Sequence, residues 1–153
     1  TPIIMKLLED KLEIESITVM IQKEVAERLI AEPGKKETGA ITYSVYYYCN
    51  SEKILEVPNY SFIPEPEVTS EVIKLHLRKE PPIKVEDKEK MFKVIKNAFT
   101  QRRKTLINAL TNTNTIKSKE EANQIFEKLN INKNIRAEEL TLQQFADISD
   151  NIK

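Results

Sequence analysis

The residues of this chain best equipped for chemistry are a set of cations and one aromatic ring. Arg102, Arg103 and Lys104 stand consecutively in FTQRRKTLINAL, Phe99 to Leu110, within a helical pattern. Upstream, Lys88, Lys90, Lys93 and Lys96 bring the stretch Lys88–Leu110 to seven basic residues against one acid, Glu89. The chain as a whole has 24 basic and 24 acidic residues and a formal net charge of zero. A neutral protein that gathers cations in one place offers them to an anion. Nucleic acid fits, because contacts to its phosphates supply most of its non-specific affinity for proteins. Arg102 and Arg103 can grip phosphates bidentately, while Lys104 acts as a point charge. Lys93 and Lys96 extend the same basic surface, and a solvated helix face is the competing reading. The ring is Phe62, in VPNYSFIPEPEVTSEVIKL, 57–75. Pro58, Pro64 and Pro66 lower the entropy of that loop and hold it extended. A stiff loop presenting an aromatic ring can stack an unpaired base. From spacing alone, a Phe62 that plugs the local core is the stronger alternative.

Other chemistries find little support. Gly34 and Gly39 are the only glycines, so no glycine-rich loop cradles a phosphate or nucleotide cofactor. One cysteine and one histidine fall short of a usual zinc site, and no metal is expected. No Ser-His-Asp or Cys-His set is supported, and the acids are scattered on polar faces. Cys49 follows an aromatic cluster and reads as a small buried hydrophobe; as a lone cysteine it excludes an internal disulfide and suits a reducing cytoplasm. No apolar run approaches the ~20 residues of a membrane span, and no signal-peptide pattern opens the sequence. With 40% hydrophobic and 31% charged residues, the composition is that of a globular protein with a real core. By local chemistry alone the chain is a poor enzyme.

The elements that position these residues follow from periodicity. Residues 2–12 read as an amphipathic helix, with Thr1 as N-cap and Pro2 in the first turn. Ile17–Ile21 (ITVMI) is an apolar run expected to form a strand buried on both faces of a parallel sheet. QKEVAERLIAEPG is a helix ending at Pro33-Gly34, and its Lys23 and Arg28 are weaker candidates among the cations. AITYSVYYYC, 40–49, fits a helix or a strand. ILEV, 54–57, is a strand ended by Pro58. EVIKLHL, 71–77, alternates Ile73, Leu75 and Leu77 against Lys74, His76 and Arg78, a half-exposed strand with His76 on its polar side. EPPIKV, 80–85, marks a linker, and all that follows reads as helical. Met91, Phe92, Ile95, Ala98 and Phe99 make one stripe, continued by Leu106, Ile107 and Leu110 after a break near Thr100–Gln101. Ser118-x-x-Glu121 and Thr141-x-x-Gln144 open two more helices. The fold class is therefore α/β followed by all-α: a partial α/β unit over 1–80 and a helical domain over 86–153.

Five ordered blocks, MIQKEVAERL, GAITYSVYYYC, VPNYSFIPEPEVTSEVIKL, FTQRRKTLINAL and RAEELTLQQFADI, closely resemble the bacterial dimethyladenosine transferases of small-subunit (16S) ribosomal RNA. The resemblance covers nearly the whole chain. It implies the C-terminal part of a Rossmann-like methyltransferase domain followed by a small helical RNA-binding domain. It also implies transfer of methyl groups from S-adenosylmethionine to the N6 amines of two adjacent adenosines near the 3′ end of 16S rRNA. That amine is a weak nucleophile, its lone pair delocalised into the ring. The family turns the base into a pocket, where an Asn-Leu-Pro-Tyr motif accepts from the amine and aromatic rings clamp the base faces. That motif, the cofactor's glycine loop and its acidic partner have no counterpart here; in the family the motif lies just before the segment matching Thr1-Pro2. Phe62 does match, and in the family that aromatic stacks on the target adenine. The QRRKT block matches the segment that helps hold the ribosomal RNA. Macrolide-resistance methylases of large-subunit RNA share the Phe-x-Pro-x-Pro loop but lack the QRRKTLINAL pattern.

The expectations are therefore a C-terminal fragment, since Thr1 is an odd place for a gene to start, that binds 16S rRNA or the immature small ribosomal subunit as a cytoplasmic monomer. Alone it would bind no S-adenosylmethionine and methylate nothing; the longer protein would be the enzyme. The alternatives are a non-enzymatic ribosome-binding or assembly module and a large-subunit methylase.

Overall fold

The computed structural model describes all residues, Thr1–Lys153. Helix α1 spans Pro2–Glu9, with Pro2 in its first turn, where a missing N–H costs nothing. It stops short of residue 12, and Lys11 takes a positive φ of 51° in the turn that follows. Strand β1 (Ser16–Gln22) leads directly into α2 (Lys23–Ile30). Helix α2 also ends before Pro33: Ala31 is already extended (φ −58°, ψ 152°), and Gly34 turns the chain at φ 97°.

Residues 40–49 resolve as helix α3, Ala40–Tyr48, running straight into strand β2, Cys49–Val57. The periodicity was ambiguous because α3 is buried on two sides. Tyr43 and Tyr47, one turn apart, enter the larger core. Val45 and Cys49, on the other side, enter the smaller one. A helix apolar on two faces loses the single stripe that identifies an amphipathic helix.

Strand β3, Ser70–Leu77, lies between the other two in the order β1-β3-β2 and pairs antiparallel with both. This corrects the expectation for Ile17–Ile21, which neither joins a parallel pair nor buries both faces. Ile17 is buried, but Met20 is 50% exposed. A short apolar run says that a strand exists and leaves open which faces are covered. Strand β2 starts five residues before the expected ILEV, and Asn50–Glu56 are all exposed. Its polar CNSEK opening suits an edge strand, where charges discourage further pairing. Ile73 and Leu75 of β3 are fully buried and anchor the smaller core with Leu8, Ala26 and Leu29.

After Leu77 the chain contains helices only: α4 (Lys88–Ala98), α5 (Leu106–Asn112), α6 (Lys119–Lys128) and α7 (Leu142–Asn151), with short 3₁₀ turns. Segment 80–85 has no regular structure, yet Ile83 and Val85 pack on the helical core. Ser118 Oγ accepts from Glu121 N at 3.2 Å. Thr141 and Gln144 form the full reciprocal box, at 3.2 and 2.9 Å. The expected inward faces hold: Met91, Ile95, Leu106, Leu110, Phe126 and Phe145 are all buried in one cluster of 21 residues. Tyr43 ties α3 into it, its ring edge-on to Phe145 at 4.9 Å and its hydroxyl donating to Leu140 O at 2.7 Å. No helix is long and apolar enough to cross a membrane.

Candidate nucleic-acid interface

The cation triad lies between two helices rather than inside one. Helix α4 tightens into the 3₁₀ turn Phe99–Gln101, and Arg102, Arg103 and Lys104 form the turn before α5. Thr105 explains the interruption. It is extended (φ −62°, ψ 154°) so that its hydroxyl can cap α5, and a capping residue must stand outside helical geometry. The turn is braced on both sides. Lys104 N donates to Gln101 O at 2.9 Å, and Asn112 Nδ2 donates to Gln101 Oε1 at 2.8 Å.

All three cations are exposed, but they are not equivalent. One guanidinium nitrogen of Arg102 donates to Lys36 O at 2.7 Å, so part of its fork is spent on the loop after α2. The Arg103 and Lys104 side chains have no such partner within the chain. Lys93 and Lys96 are exposed on α4. Two other members of the basic run face inward: Lys90 Nζ donates to Ile152 O at 2.6 Å, and Lys88 lies 5.5 Å over the Tyr48 ring. Arg28 and Lys36 line a polar recess of about 270 Å³ together with Arg102. Lys36 was missed in the sequence because 66 residues separate it from its partner. Three carboxylates, Glu24, Glu27 and Glu37, share that recess, so it is charge-balanced. Lys23 belongs elsewhere, 2.9 Å from Glu56 Oε1, whose hydrogen bond and charge hold its ammonium above the usual lysine range.

Phe62 follows the 3₁₀ turn Asn59–Ser61 in the β2–β3 loop, with its N–H donating to Asn59 O at 3.3 Å. The ring is half-buried and belongs to neither apolar core. Beside it, Tyr60 and Ile63 are 75% and 101% exposed, and the Ile63–Pro64 bond is cis. Phe62 thus stands on the sheet half of the molecule, and the cations stand on the helical half.

The remaining candidates have structural roles. His76 Nε2 is 2.9 Å from Glu52 Oε2 on the exposed sheet face. Cys49 is buried, and burial pushes its thiol up to about 11 despite nearby Arg78, so it is no nucleophile near neutrality. No group of three or more His, Cys, Asp or Glu side chains is gathered as metal ligands. Neither of the two glycines is placed to cradle S-adenosylmethionine. The Gly39 amide is used by Thr42 Oγ1 at 3.0 Å, and a Cβ on Gly39 would meet the Arg28 side chain at 3.3 Å. Gly34 turns against the backbone of Glu139 and Leu140. Neither glycine opens onto a nucleotide-sized cradle.

Residues 1–153 match the family model described as ribosomal RNA adenine dimethylase. The ribosomal RNA small subunit methyltransferase A of Alkaliphilus metalliredigens is 47% identical over 152 residues, covering 99% of this chain and 53% of that protein. The protein of the same name from a Geobacillus species is 44% identical over 155 residues, covering 100% and 53%. The chain thus spans about half the length of the relatives it matches. Among solved structures, a dimethyladenosine transferase from Plasmodium falciparum superposes with a TM-score of 0.76 at 23% identity, over 96% of this chain and 60% of that one. The 23S rRNA methyltransferase ErmE gives 0.66 at 17% identity, over 97% and 59%. At those identities the two structures speak for the fold alone, whereas the family match covers every residue: the chain belongs to the ribosomal RNA adenine dimethylase family.

Proposed function

We propose that this chain is the C-terminal part of an S-adenosylmethionine-dependent rRNA adenine N6,N6-dimethyltransferase. Its substrate is a pair of adjacent adenosines near the 3′ end of 16S rRNA in an immature small ribosomal subunit. Residues 1–80 supply the last strands of a Rossmann-like catalytic domain, and the free edge of β1 is where the rest of that sheet continues. Residues 86–153 form the helical RNA-binding domain. The protein acts in the cytoplasm as a monomer.

The observation that carries this reading is the exposed Arg102–Lys104 turn, braced by two hydrogen bonds, in a chain that belongs to this family throughout its length. An exposed, braced cationic turn holds its register on a phosphate backbone without ordering itself first. Phe62 stacks on the target adenine, while Arg103, Lys104, Lys93 and Lys96 hold the surrounding RNA. Arg102 divides its donors between RNA and the α2 loop. Cofactor binding and the acceptors that activate the amine belong to residues outside this chain, so the 153 residues alone bind RNA and transfer no methyl group.

The test is methyl incorporation into undermethylated small subunits. The longer protein that contains these residues should label them, and the chain alone should not. Tight calorimetric binding of S-adenosylmethionine to the chain alone would overturn the division of labour. Labelling of large-subunit RNA instead would overturn the substrate assignment.

A further inference from the structure

A groove of about 420 Å³ runs between α1, α3 and α4, within the roughly 300–1,000 Å³ typical of sites for small ligands. Met5, Ile41, Phe92 and Ile95 make most of its lining apolar, and Tyr48 adds a second ring. The Tyr48 and Phe92 rings are nearly parallel (19°), with centroids 6.0 Å apart. Two exposed charges of opposite sign complete the lining: Glu9 from α1 and Lys96 from α4. Neither is spent on an ion pair within the chain. Helix α4 carries Lys96 and leads through the 3₁₀ turn Phe99–Gln101 to the Arg102–Lys104 turn, so the groove adjoins the basic surface.

We propose that this groove holds one unpaired nucleotide of the bound RNA, with the base on the Tyr48–Phe92 side, the phosphate on Lys96 and an exocyclic base amine on Glu9. This rests on the RNA-binding reading above and adds a subsite distinct from Phe62. A nucleotide uses the rings and both charges of the lining. Aromatic faces stack any base, an ammonium meets a phosphate as a point charge, and a carboxylate accepts from an amino group. An apolar peptide side chain would leave Glu9 and Lys96 without partners. Because Glu9 is an acceptor only, adenine and cytosine should be favoured over uracil, which presents carbonyl oxygens where they present amines.

The experiment is an NMR titration of the methyl-labelled chain with hexaadenylate, hexauridylate and inorganic phosphate. Hexaadenylate should shift the Met5, Ile41 and Ile95 methyls, hexauridylate should bind more weakly, and phosphate should leave these methyls in place. Phe92→Leu should weaken hexaadenylate binding about tenfold through lost stacking. Phe92 also packs on the helical core, so Lys96→Ala and Glu9→Ala, both at exposed positions, serve as variants that keep the fold. Lys96→Ala should lower the log–log salt slope by about 0.7, and Glu9→Ala should erase the preference for adenine. Binding that perturbs only the Arg103–Lys104 turn, equal shifts from phosphate alone, or a preference for uridylate would overturn the groove and leave the RNA-binding reading standing. Failure of the chain to bind any RNA would overturn both.

Discussion

Tyr43→Phe isolates one oxygen atom in the contact that ties the sheet half to the helical half. The Tyr43 side chain is fully buried. Its hydroxyl lies 2.7 Å from Leu140 O and 3.1 Å from Ala137 O, in residues that are 0% and 2% exposed. Ala137 O keeps a second partner, Leu140 N at 3.3 Å, but Leu140 O has the phenol alone. The substitution preserves the ring and its contacts with Phe145 and Phe99, so no cavity of consequence opens. What remains is one buried carbonyl left without a donor, which costs about 1–3 kcal/mol. Taking ~2 kcal/mol, a protein of this length should melt roughly 4–8 °C lower. Urea titration followed by far-ultraviolet circular dichroism measures the free energy, and an unchanged m-value would show that the halves still unfold together. The pH dependence adds a second signature. Burial, with nearby Glu138, raises the Tyr43 phenol above its usual value of 10.0. The unfolded chain therefore gives up this proton first. The stabilisation is complete below pH 10 and erodes as pH climbs above it; Tyr43→Phe should remove that part of the alkaline loss. A change below about 0.5 kcal/mol would refute the argument, because the hydroxyl would then be making no bond that water could not replace.

Other outcomes follow from the same geometry. The double substitution Arg103→Ala/Lys104→Ala should leave stability within about 0.5 kcal/mol and lower the log–log salt slope of RNA binding by roughly 1.4–1.8, measured by fluorescence anisotropy; an unchanged slope would return these cations to a solvated surface. Phe62→Ala should cost the fold less than about 1 kcal/mol, since the ring is in neither core. In the longer protein it should slow methylation at least about tenfold while subunit binding changes little, whereas a failure to fold would make it a core residue. Cys49 should resist iodoacetamide at pH 8 in the native protein and react readily in urea; rapid native labelling would contradict its burial.

The helical half was the more legible part of the sequence. Its stripes and boxes are local: Ser118 caps through Glu121 N, Thr141 pairs with Gln144, and the apolar positions at i, i+3 and i+4 all face one core. The sheet was harder. Ile17–Ile21 announces a strand, but its direction and exposed face depend on β3, more than fifty residues later. Asn50–Lys53 gave no signal because an edge strand exposed on both sides needs no apolar alternation. Helix α3 was hidden by serving two cores at once. At the candidate site the cation triad was visible as composition. Its placement on a turn depended on Thr105 preferring a capping geometry, and the bond from Arg102 to Lys36 O joins segments that no local pattern connects. The groove between α1, α3 and α4 was invisible for the same reason: its charged rim and aromatic rings come from three separated helices.

On the proposed reading, these 153 residues hold small-subunit ribosomal RNA through the Arg102–Lys104 turn. Co-sedimentation of the purified chain with immature small subunits, at 50 and 200 mM salt, is the decisive measurement. The chain should pellet with the subunits at the lower salt, be largely released at the higher, and pellet less at the lower salt when Arg103 and Lys104 are both alanine. A chain that stays in the supernatant at low salt, or a double variant that pellets as well as the parent, would rule that reading out.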